Sequence, residues 1–320
     1  MNKKISTWIV TEGLIGTENQ CLGVAESLDI KPVVKRIKLN EPWKTLSPYL
    51  QLEIERTFSS EGDEVAPPWP DLLIASGRKS IAASRFIKRK SGGKTFVVQI
   101  QDTRIARSDF DILAVPAHDP ASKLKAANIV VTQATPNRIT KEKLETARTH
   151  FIAFHSLPAP RLGVLIGGTA GKQILTADMV HDLSQQLKKL SERGYGLMIT
   201  TSRRTGDANK NILQNTLKGP NIYFWDGEDE NPYFGILGWA DALIVTSESM
   251  SMVSEAATTG KPVYTVNLNG SKARHRRMQE NLREKGIIRN FEGQIDEWTY
   301  EPLNDAGIIA EEIRRKSGLF

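Results

Sequence analysis

The segment Gly167–Lys172 (GGTAGK) combines the glycines and the lysine that proteins use to bind phosphate. It differs from a P-loop at two positions, because Ile166 replaces the first glycine and Gln173 stands where Mg²⁺ binding requires Ser or Thr. Glycine amides and a lysine can still hold a diphosphate without a metal. We therefore predict metal-free diphosphate binding by Gly167, Gly168, Thr169 and Lys172.

A second polar segment, Ser202–Thr205 (SRRT), places two adjacent arginines between hydroxyl side chains. The planar guanidinium group matches the spacing of phosphate oxygens. An exposed charged loop would explain the same residues, but the surrounding hydroxyls favour binding. The residues assigned to the predicted phosphate site are therefore Ser202, Arg203, Arg204 and Thr205.

The segment Thr246–Val263 is the most specific of these. A strand, a Ser-rich loop, a short helix, a glycine at the helix end and the next strand follow one another. Ser251 and Glu255 are four residues apart and share one helix face. Amides and hydroxyls at the helix start would hold phosphate, and Glu255, one turn further on, would accept hydrogen bonds from ribose hydroxyls. The residues predicted to bind the nucleotide here are Ser247, Ser249, Met250, Ser251 and Glu255.

Two loops in the first half of the chain are candidates for a second ligand-binding site. Thr11–Gln20 contains glycines, but not in the dinucleotide-binding spacing G-x-G-x-x-G, which disfavours a nicotinamide site. Ser76–Ser80 puts Arg78 and Lys79 at a helix start, where the helix dipole prefers a negative charge, so a bound anion would complete it. A structural turn and a solvated loop are the alternatives. The residues assigned to this second site, which is called the acceptor side, are Gly13, Gly16, Asn19, Gln20, Arg78 and Arg104.

Two acidic segments have the D-x-D spacing of some metal sites. Asp109 and Asp111 precede an apolar run, so they lie at the amino end of a strand, opposite the expected site. Glu228–Glu230 lies in the polar loop 226–231. We predict no metal, because glycine amides, Lys172 and the two arginines can neutralise a bound diphosphate without one.

A repeating strand–helix pattern positions these loops. Continuous apolar strands that alternate with helices indicate parallel sheets covered on both faces, and ligands of such sheets bind beyond the carboxyl ends of the strands. The predicted strands are Ser6–Thr11, Leu72–Ala75, Thr95–Ile100, Ile112–Val115, Ile129–Thr132, Arg161–Ile166, Tyr195–Thr200, Ile222–Phe224, Ala242–Thr246 and Val263–Val266. The predicted helices include Asn19–Leu28, Ser80–Lys90, Ala177–Arg193 and Met250–Thr259.

The proline-containing segment Phe154–Pro160 interrupts this pattern and marks a domain boundary. We predict two doubly wound α/β domains, residues 1–154 and 155–320, with the last helix near Asp305–Lys316 packing back on the first domain. The region 41–70, rich in Trp and Pro, fits less well. A short helix near Leu46–Phe58 is predicted there, which packs in the core or touches a membrane.

Composition and charge restrict the class of protein. The chain has 320 residues, 39% of them hydrophobic and 25% charged, which is typical of a soluble globular protein. No apolar run approaches the ~20 residues of a membrane span. The apolar stretch within Met1–Val10 is too short for a signal peptide. Cys21 is the single cysteine, which excludes intramolecular disulfides. We therefore predict a cytoplasmic protein.

The net charge of +6 lies entirely in residues 1–160, which hold 23 Lys+Arg against 17 Asp+Glu. This charge is either ordinary surface variation or the mark of an anionic partner, such as a phosphate-bearing acceptor or a membrane face. Aromatic residues do not interleave with the basic ones, which argues against nucleic acid.

The segment Thr246–Val263 resembles the nucleotide-sugar signature of GT-B glycosyltransferases. More distantly, the chain resembles the enzyme that adds N-acetylglucosamine to the peptidoglycan lipid intermediate. More closely, several segments together resemble the mitochondrial-fission ELM (elongated mitochondria) family of GT-B-like proteins and its bacterial homologues. Those segments are Thr11–Gln20, Pro70–Arg78, Gln99–His118, Leu165–Thr169, Ser202–Thr205 and Leu237–Val263. The resemblance implies two Rossmann-like domains facing a cleft, with a nucleotide-diphosphate-sugar site in the second. It implies that this site is lined by Gly167, Gly168, Arg203, Arg204, Ser249, Ser251 and Glu255.

The resemblance leaves the catalytic base open. The peptidoglycan enzyme and its relatives have a histidine in the first glycine loop, whereas this chain ends that loop with Gly16, Thr17 and Glu18. The predicted proton acceptors are therefore Glu18 or Asp102, with His118 as a third choice.

We expect metal-independent, inverting transfer of a sugar from a nucleoside diphosphate sugar, with no cofactor. The acceptor is expected to be anionic or lipid-linked, at the inner face of the membrane. Two alternatives stay open. A GT-B-fold nucleotide-sugar epimerase would place two or more carboxylates or a histidine around the sugar, and a non-catalytic scaffold of a membrane or division machine would bind no nucleotide sugar.

Overall fold

A computed structural model describes residues 5–270 and 272–320 of the chain. It divides into two compact units, which are called unit 1 (residues 1–138 and 304–320) and unit 2 (residues 139–303). Each unit has the same architecture, a parallel sheet with helices, so the chain is an α/β protein as predicted.

Each unit is built on a six-stranded sheet. The strands of unit 1 are β1 (Thr7–Thr11), β2 (Val33–Arg36), β3 (Leu72–Ser76), β4 (Phe96–Ile100), β5 (Ile112–Pro116) and β6 (Ile129–Thr132). The strands of unit 2 are β7 (Arg161–Ile166), β8 (Gly196–Thr201), β9 (Ile222–Phe224), β10 (Ala242–Thr246), β11 (Val263–Val266) and β12 (Ile288–Asn290). The spatial orders are β2-β1-β3-β4-β5-β6 and β12-β11-β10-β7-β8-β9, with parallel pairing throughout.

The helices cover these sheets. In chain order they are α1 (Ile15–Ser27), α2 (Trp43–Leu46), α3 (Ser80–Lys90), α4 (Lys141–His150), α5 (Ala177–Glu192), α6 (Asp207–Thr216), α7 (Tyr233–Trp239), α8 (Met250–Thr258), α9 (Ala273–Glu284) and α10 (Asp305–Ser317). Every residue of the inner strands β1, β3, β5 and β10 is buried, because helices pack on both faces of a doubly wound sheet.

The ten predicted strands are confirmed within one residue at each end. The sequence missed β2 and β12, which are the edge strands next to β1 and β11. The predicted helix Leu46–Phe58 is wrong, because that region holds only α2 and a 3₁₀ turn at Glu55–Thr57.

The structure places the division between the units earlier than the predicted residue 154. Helix α4 belongs to unit 2, where it packs on α7. The contact is close, because a Cβ on Gly238 would lie 2.7 Å from the Leu144 carbonyl oxygen. The Trp239 indole N–H also donates to the Arg148 carbonyl at 2.9 Å. Residues 139–154 therefore fold with the second sheet.

The last helix, α10, lies in unit 1. The buried Asp305 carboxylate in its first turn accepts hydrogen bonds from the Gln133 and Ala134 backbone N–H groups at 2.7 and 2.8 Å, just beyond β6. Ile309 and Ile313 are fully buried in the core that includes α1. Across residues 5–270 and 272–320, no helix is both long enough and apolar enough to cross a membrane.

Candidate functional site

In unit 2 the strand order reverses at β7, which lies between β10 and β8. Ligands of open parallel sheets bind at such a point, beyond the carboxyl ends of the strands. The predicted donor-side residues come from the loops that follow β7, β8 and β10, and the structure brings these loops into contact.

The two glycines after β7 make close contacts with neighbouring loops. The Gly167 N–H donates to the Thr246 hydroxyl at 2.7 Å, and the Gly168 N–H donates to Oε1 of Glu248 at 2.8 Å. A Cβ on Gly168 would lie 1.9 Å from the Arg204 carbonyl oxygen, so only glycine fits there. Both amides have partners within the chain, so the predicted glycine cradle for a diphosphate is not formed in this structure.

Thr169, the next residue of the loop after β7, is also hydrogen-bonded within the chain. The Thr169 N–H donates to the Arg204 carbonyl at 3.2 Å, and its hydroxyl accepts from the Leu175 N–H at 3.3 Å. Lys172 is exposed. Of the predicted residues in this loop, Lys172 keeps a side chain available to a ligand.

The arginine loop after β8 begins with a local cap. The Ser202 hydroxyl accepts from the Arg204 N–H at 3.1 Å, and the buried Thr205 hydroxyl donates to the Gly167 carbonyl. Arg203 and Arg204 are exposed, and Nη2 of Arg204 lies 3.4 Å from Oε1 of Glu248. Ser202 and Thr205 therefore fix the loop, and the two guanidinium groups can meet an anion.

The loop after β10 leads into α8. Ser247 is buried and structural, because its hydroxyl accepts from the Leu268 N–H at 3.2 Å. Ser249 caps α8 by accepting from the Met252 N–H at 3.4 Å. Met250 and Ser251 form the half-buried first turn, where helix N–H groups have no partner within the helix.

Glu248 was missed by the sequence analysis, although it lies inside the Ser-rich segment. Its carboxylate contacts the loops after β7 and β8 and is fully buried, and Oε2 has no hydrogen-bond partner. Burial raises the pKa of Glu248 above its ordinary value, against the opposing effects of the Gly168 N–H, the Thr246 hydroxyl and Arg204. Its distance of 80 residues from Gly168 left no local sequence signal.

Glu255 has a partner that the sequence did not indicate. The Tyr233 hydroxyl, at the start of α7, donates to Oε2 of Glu255 at 2.5 Å. Burial raises the pKa of Glu255 to about 7, although the Tyr233 hydrogen bond opposes this. Burial and the neighbouring Glu255 also raise the pKa of Tyr233.

In unit 1, both predicted proton acceptors are engaged by arginines. Glu18 receives two hydrogen bonds from Arg36, each 2.8 Å long. Asp102 receives two from Arg107, at 2.7 and 2.9 Å. Burial raises the pKa of Asp102, but Arg107 and the Arg104 N–H outweigh it and hold the pKa below its ordinary value. The lowered pKa makes Asp102 a weak base, and the oxygens of Glu18 are occupied by Arg36, so this geometry does not support either predicted assignment.

Three of the acceptor-side residues assigned to the first loop lie within α1, which begins at Ile15 and contains Gly16, Asn19 and Gln20. Gly13 stays in the loop with φ +80°, a conformation that favours glycine. Gln20 is buried, and its side-chain oxygen accepts from the Ser76 hydroxyl at 2.9 Å.

The basic side chains of unit 1 differ in exposure. Arg78 and Arg104 are exposed, and Arg104 lies 3.4 Å from the Tyr49 hydroxyl. The anion expected at the start of α3 is supplied by the chain itself, because Oε2 of Glu12 lies 2.9 Å from Nζ of Lys79.

Acidic residues elsewhere also have partners. Asp109 pairs with Arg85 at 2.7 Å and Asp111 with Lys88 at 2.6 Å, so each of these carboxylates has a cation of the chain as its partner. Within the described ranges 5–270 and 272–320, no three His, Cys, Asp or Glu side chains are arranged to hold a metal ion.

Comparison with known proteins shows to which family the chain belongs. The sequence model described as mitochondrial fission ELM1 matches residues 15–317. The chain belongs to the mitochondrial fission ELM1 family. Mitochondrial fission protein ELM1 of Arabidopsis thaliana is 33% identical over 77% of this chain, which spans only 64% of that relative's length. An uncharacterized protein of Rickettsia prowazekii (strain Madrid E) is 27% identical over 97% of this chain and 98% of its own length.

Solved structures show the fold of this ELM1-family chain. UDP-GlcNAc 2-epimerase from Methanocaldococcus jannaschii aligns with a TM-score of 0.61 at 13% identity, over 98% of this chain and 99% of its own. MurG from Acinetobacter baumannii aligns with a TM-score of 0.50 at 15% identity, over 98% and 92%. The fold is therefore that of GT-B glycosyltransferases and nucleotide-sugar epimerases, as predicted.

Proposed function

We propose that this ELM1-family chain binds a nucleoside diphosphate sugar in unit 2 and transfers the sugar to an acceptor by metal-independent, inverting displacement. The supporting observation is the convergence of Arg204, the first turn of α8 and Glu255 at the carboxyl edge of one parallel sheet. Glu248 links them, because it contacts Arg204 and directly precedes the α8 cap Ser249.

The diphosphate would lie at the start of α8. The N–H groups of Met250 and Ser251 and the positive end of the helix dipole favour an anion there. Arg203 and Arg204 add two guanidinium groups that neutralise charge on the departing diphosphate. The Gly167 and Gly168 amides, which the sequence assigned to this task, instead hold the loop in place.

Glu255 would bind the ribose. It lies one turn into α8, and the Tyr233 hydrogen bond to Oε2 fixes the position of the carboxylate. A carboxylate accepts hydrogen bonds from paired hydroxyl groups. A ribose therefore fits beside a diphosphate held at the helix start.

Unit 1 would hold the acceptor. A cavity of about 600 Å³ opens there, and its lining includes apolar residues such as Leu14 together with three lysines and three glutamates, Lys38, Lys44, Lys79, Glu12, Glu41 and Glu61. Unit 1 carries 23 Lys+Arg against 18 Asp+Glu. The apolar part of this lining and the positive balance of unit 1 as a whole would suit a lipid-linked, anionic acceptor at a membrane surface.

The same surface of unit 1 exposes large apolar side chains. Leu46 and Tyr49 are exposed. They lie near basic residues, because the Ser47 hydroxyl donates to the Arg78 carbonyl at 3.0 Å and Arg104 contacts Tyr49. An apolar surface beside arginines would favour contact with an anionic bilayer.

A thermal-shift screen with UDP, GDP, ADP and the corresponding sugars tests the proposed binding. A ligand at 100 times its Kd stabilises the folded state by about 2.7 kcal/mol. Replacing both Arg203 and Arg204 by alanine should remove this shift. The control Lys188→Ala/Lys189→Ala removes the same charge from exposed positions of α5 and should keep it. A full shift in the arginine variant would contradict the proposed site.

A second candidate function is epimerisation. It is favoured by Glu248 and Glu255, two carboxyl groups of unit 2 with pKa values that are raised by burial. A third candidate, a non-catalytic scaffold, is favoured by the ion pairs that occupy Glu18 and Asp102. Incubation of the protein with UDP-GlcNAc alone, followed by NMR, separates them. A new sugar isomer indicates an epimerase, slow release of UDP and free sugar indicates a transferase, and a nucleotide sugar that neither changes nor binds indicates the non-catalytic scaffold.

A further inference from the structure

The Glu248 carboxylate lies among the loops that carry the proposed nucleotide site. Its Oε1 accepts a hydrogen bond from the Gly168 N–H at 2.8 Å and lies 3.4 Å from Nη2 of Arg204. A Cβ on Gly167 would lie 1.7 Å from the same oxygen. The carboxylate is therefore held where the loops after β7 and β8 meet the loop that leads from β10 into α8.

The other oxygen of this carboxylate lacks a hydrogen bond. The Glu248 side chain is 0% exposed, and among residues 5–270 and 272–320 no group forms a hydrogen bond with Oε2. Buried polar atoms of folded proteins nearly always have a partner, and leaving one without costs about 1–3 kcal/mol. Burial also raises the pKa of Glu248, as expected for a carboxylate with too few hydrogen bonds.

Hydrogen-bond donors in the surrounding loops are committed to other acceptors. The Gly167 N–H donates to the Thr246 hydroxyl at 2.7 Å, and the Thr169 N–H donates to the Arg204 carbonyl at 3.2 Å. The Thr205 hydroxyl donates to the Gly167 carbonyl. These bonds fix the loops around the carboxylate, so the hydrogen bond that Oε2 lacks is one that a bound molecule can supply.

Arg204 lies between this carboxylate and solvent. Its side chain is 44% exposed, and the 3.4 Å to Oε1 of Glu248 exceeds the usual length of a hydrogen bond. Arg204 is therefore held loosely by Glu248. A guanidinium group that turns to bind a diphosphate would uncover the carboxylate beside it.

The position of Glu248 in the chain indicates which part of a nucleotide sugar can reach it. Glu248 directly precedes the α8 cap Ser249, and the proposed diphosphate lies at the first turn of α8. The ribose is assigned to Glu255, further along the same helix. The sugar is attached to the diphosphate on the side away from the ribose, so it is the hydroxyl-bearing group that remains for Glu248.

We propose that Oε2 of Glu248 accepts a hydrogen bond from a hydroxyl group of the transferred sugar, which makes Glu248 a specificity-determining residue. This inference rests on the proposed nucleotide-sugar site. A carboxylate accepts hydrogen bonds from hydroxyl groups and repels another negative charge. The preferred ligand is therefore a nucleoside diphosphate linked to a neutral sugar that keeps this hydroxyl group.

Calorimetric titration with UDP, UDP-glucose and its deoxyfluoro analogues tests this inference. In each analogue a fluorine atom, which donates no hydrogen bond, replaces one hydroxyl group of the glucose. At least one analogue should bind the wild type about tenfold more weakly than UDP-glucose, which corresponds to about 1.4 kcal/mol. UDP, which lacks the sugar, should bind Glu248→Gln at least as tightly as the wild type, because that variant removes a negative charge beside Arg204.

Three variants assign the lost hydrogen bond to Glu248. Glu248→Gln keeps the shape of the side chain but removes one acceptor oxygen, and it should reduce the ratio between UDP-glucose and that analogue severalfold. Glu248→Asp withdraws the carboxylate by one methylene group and should reduce the ratio too, which provides a second test if the Gln variant does not fold. Glu280→Gln, at an exposed position of α9, should keep the wild-type ratio.

The outcomes separate this inference from the function on which it rests. If every analogue binds the wild type as tightly as UDP-glucose does, the inference is overturned and the nucleotide site stands. An unchanged ratio in the Glu248 variants would assign the hydroxyl group to another residue, which also overturns it. Equal weakening of UDP and UDP-glucose by Glu248→Gln would mean that Glu248 only supports the loops. Absence of binding by all these ligands overturns both the inference and the proposed site.

Discussion

Titration of Glu255 gives a direct test of the buried environment at the unit 2 site. Burial raises its pKa to about 7, whereas its ordinary value is 4.5. The folded state therefore holds the proton more tightly than the unfolded chain. Stability from this group is fully present below the unfolded pKa and is lost as the pH rises through the folded pKa near 7. At about 1.4 kcal/mol per pKa unit, the whole effect amounts to about 3 kcal/mol.

Urea unfolding of the wild type and Glu255→Gln at pH 5 and pH 8 measures this effect. The wild type should lose about 2–3 kcal/mol more than the variant between these two pH values. Glu280→Gln, at an exposed position of α9, should behave as the wild type does. Tyr233→Phe removes a hydrogen bond that favours the charged form, so its loss should continue to higher pH. The same pH dependence in the wild type and Glu255→Gln would refute the reasoning.

Three further outcomes are expected. Gly168→Ala forces a Cβ against the Arg204 carbonyl and should lower the free energy of unfolding by about 2–3 kcal/mol in urea titrations. A change below about 0.5 kcal/mol, which is typical of surface substitutions, would contradict the contact. Arg107→Ala removes the charge that lowers the pKa of Asp102, so an NMR titration should show a higher pKa, and the part of the acid destabilisation that comes from Asp102 should become smaller because its folded pKa approaches its unfolded pKa; an unchanged pKa would contradict the ion pair. Leu46→Asp should weaken co-sedimentation with anionic vesicles and leave the low binding to neutral vesicles unchanged, whereas equal binding by variant and wild type would exclude this face as the membrane contact.

The sequence predicted the inner strands, together with the edge strands β6 and β9, because each is a run of mainly apolar residues. The edge strands β2 and β12 lack that signal. Residues of β2 are exposed or half-buried, and β12 has only three residues, two of them exposed. An edge strand is defined by backbone pairing with its neighbour, and short, partly polar sequences carry little trace of that pairing.

The candidate site was predictable only in its local parts. The Ser249 cap and the position of Glu255 on α8 follow from residues a few places apart. The contact of Gly168 with Glu248 joins residues 80 apart, and Glu18 meets Arg36 across two elements. Whether a glycine amide or a carboxylate is free therefore depends on tertiary pairing that spacing does not encode.

The two units differ in how the polar groups beyond their strands are satisfied. In unit 1, Glu12, Glu18 and Asp102 each pair with a cation of the same unit. In unit 2, the described side chains of Gln173 and Glu248 keep buried atoms without partners. Each buried unpaired group costs about 1–3 kcal/mol, so a folded chain retains such groups where something else compensates. A ligand that brings hydrogen-bond donors, such as hydroxyl groups, to the carboxyl edge of unit 2 would supply that compensation for Glu248, which favours unit 2 as the part of the chain that takes up a polar molecule.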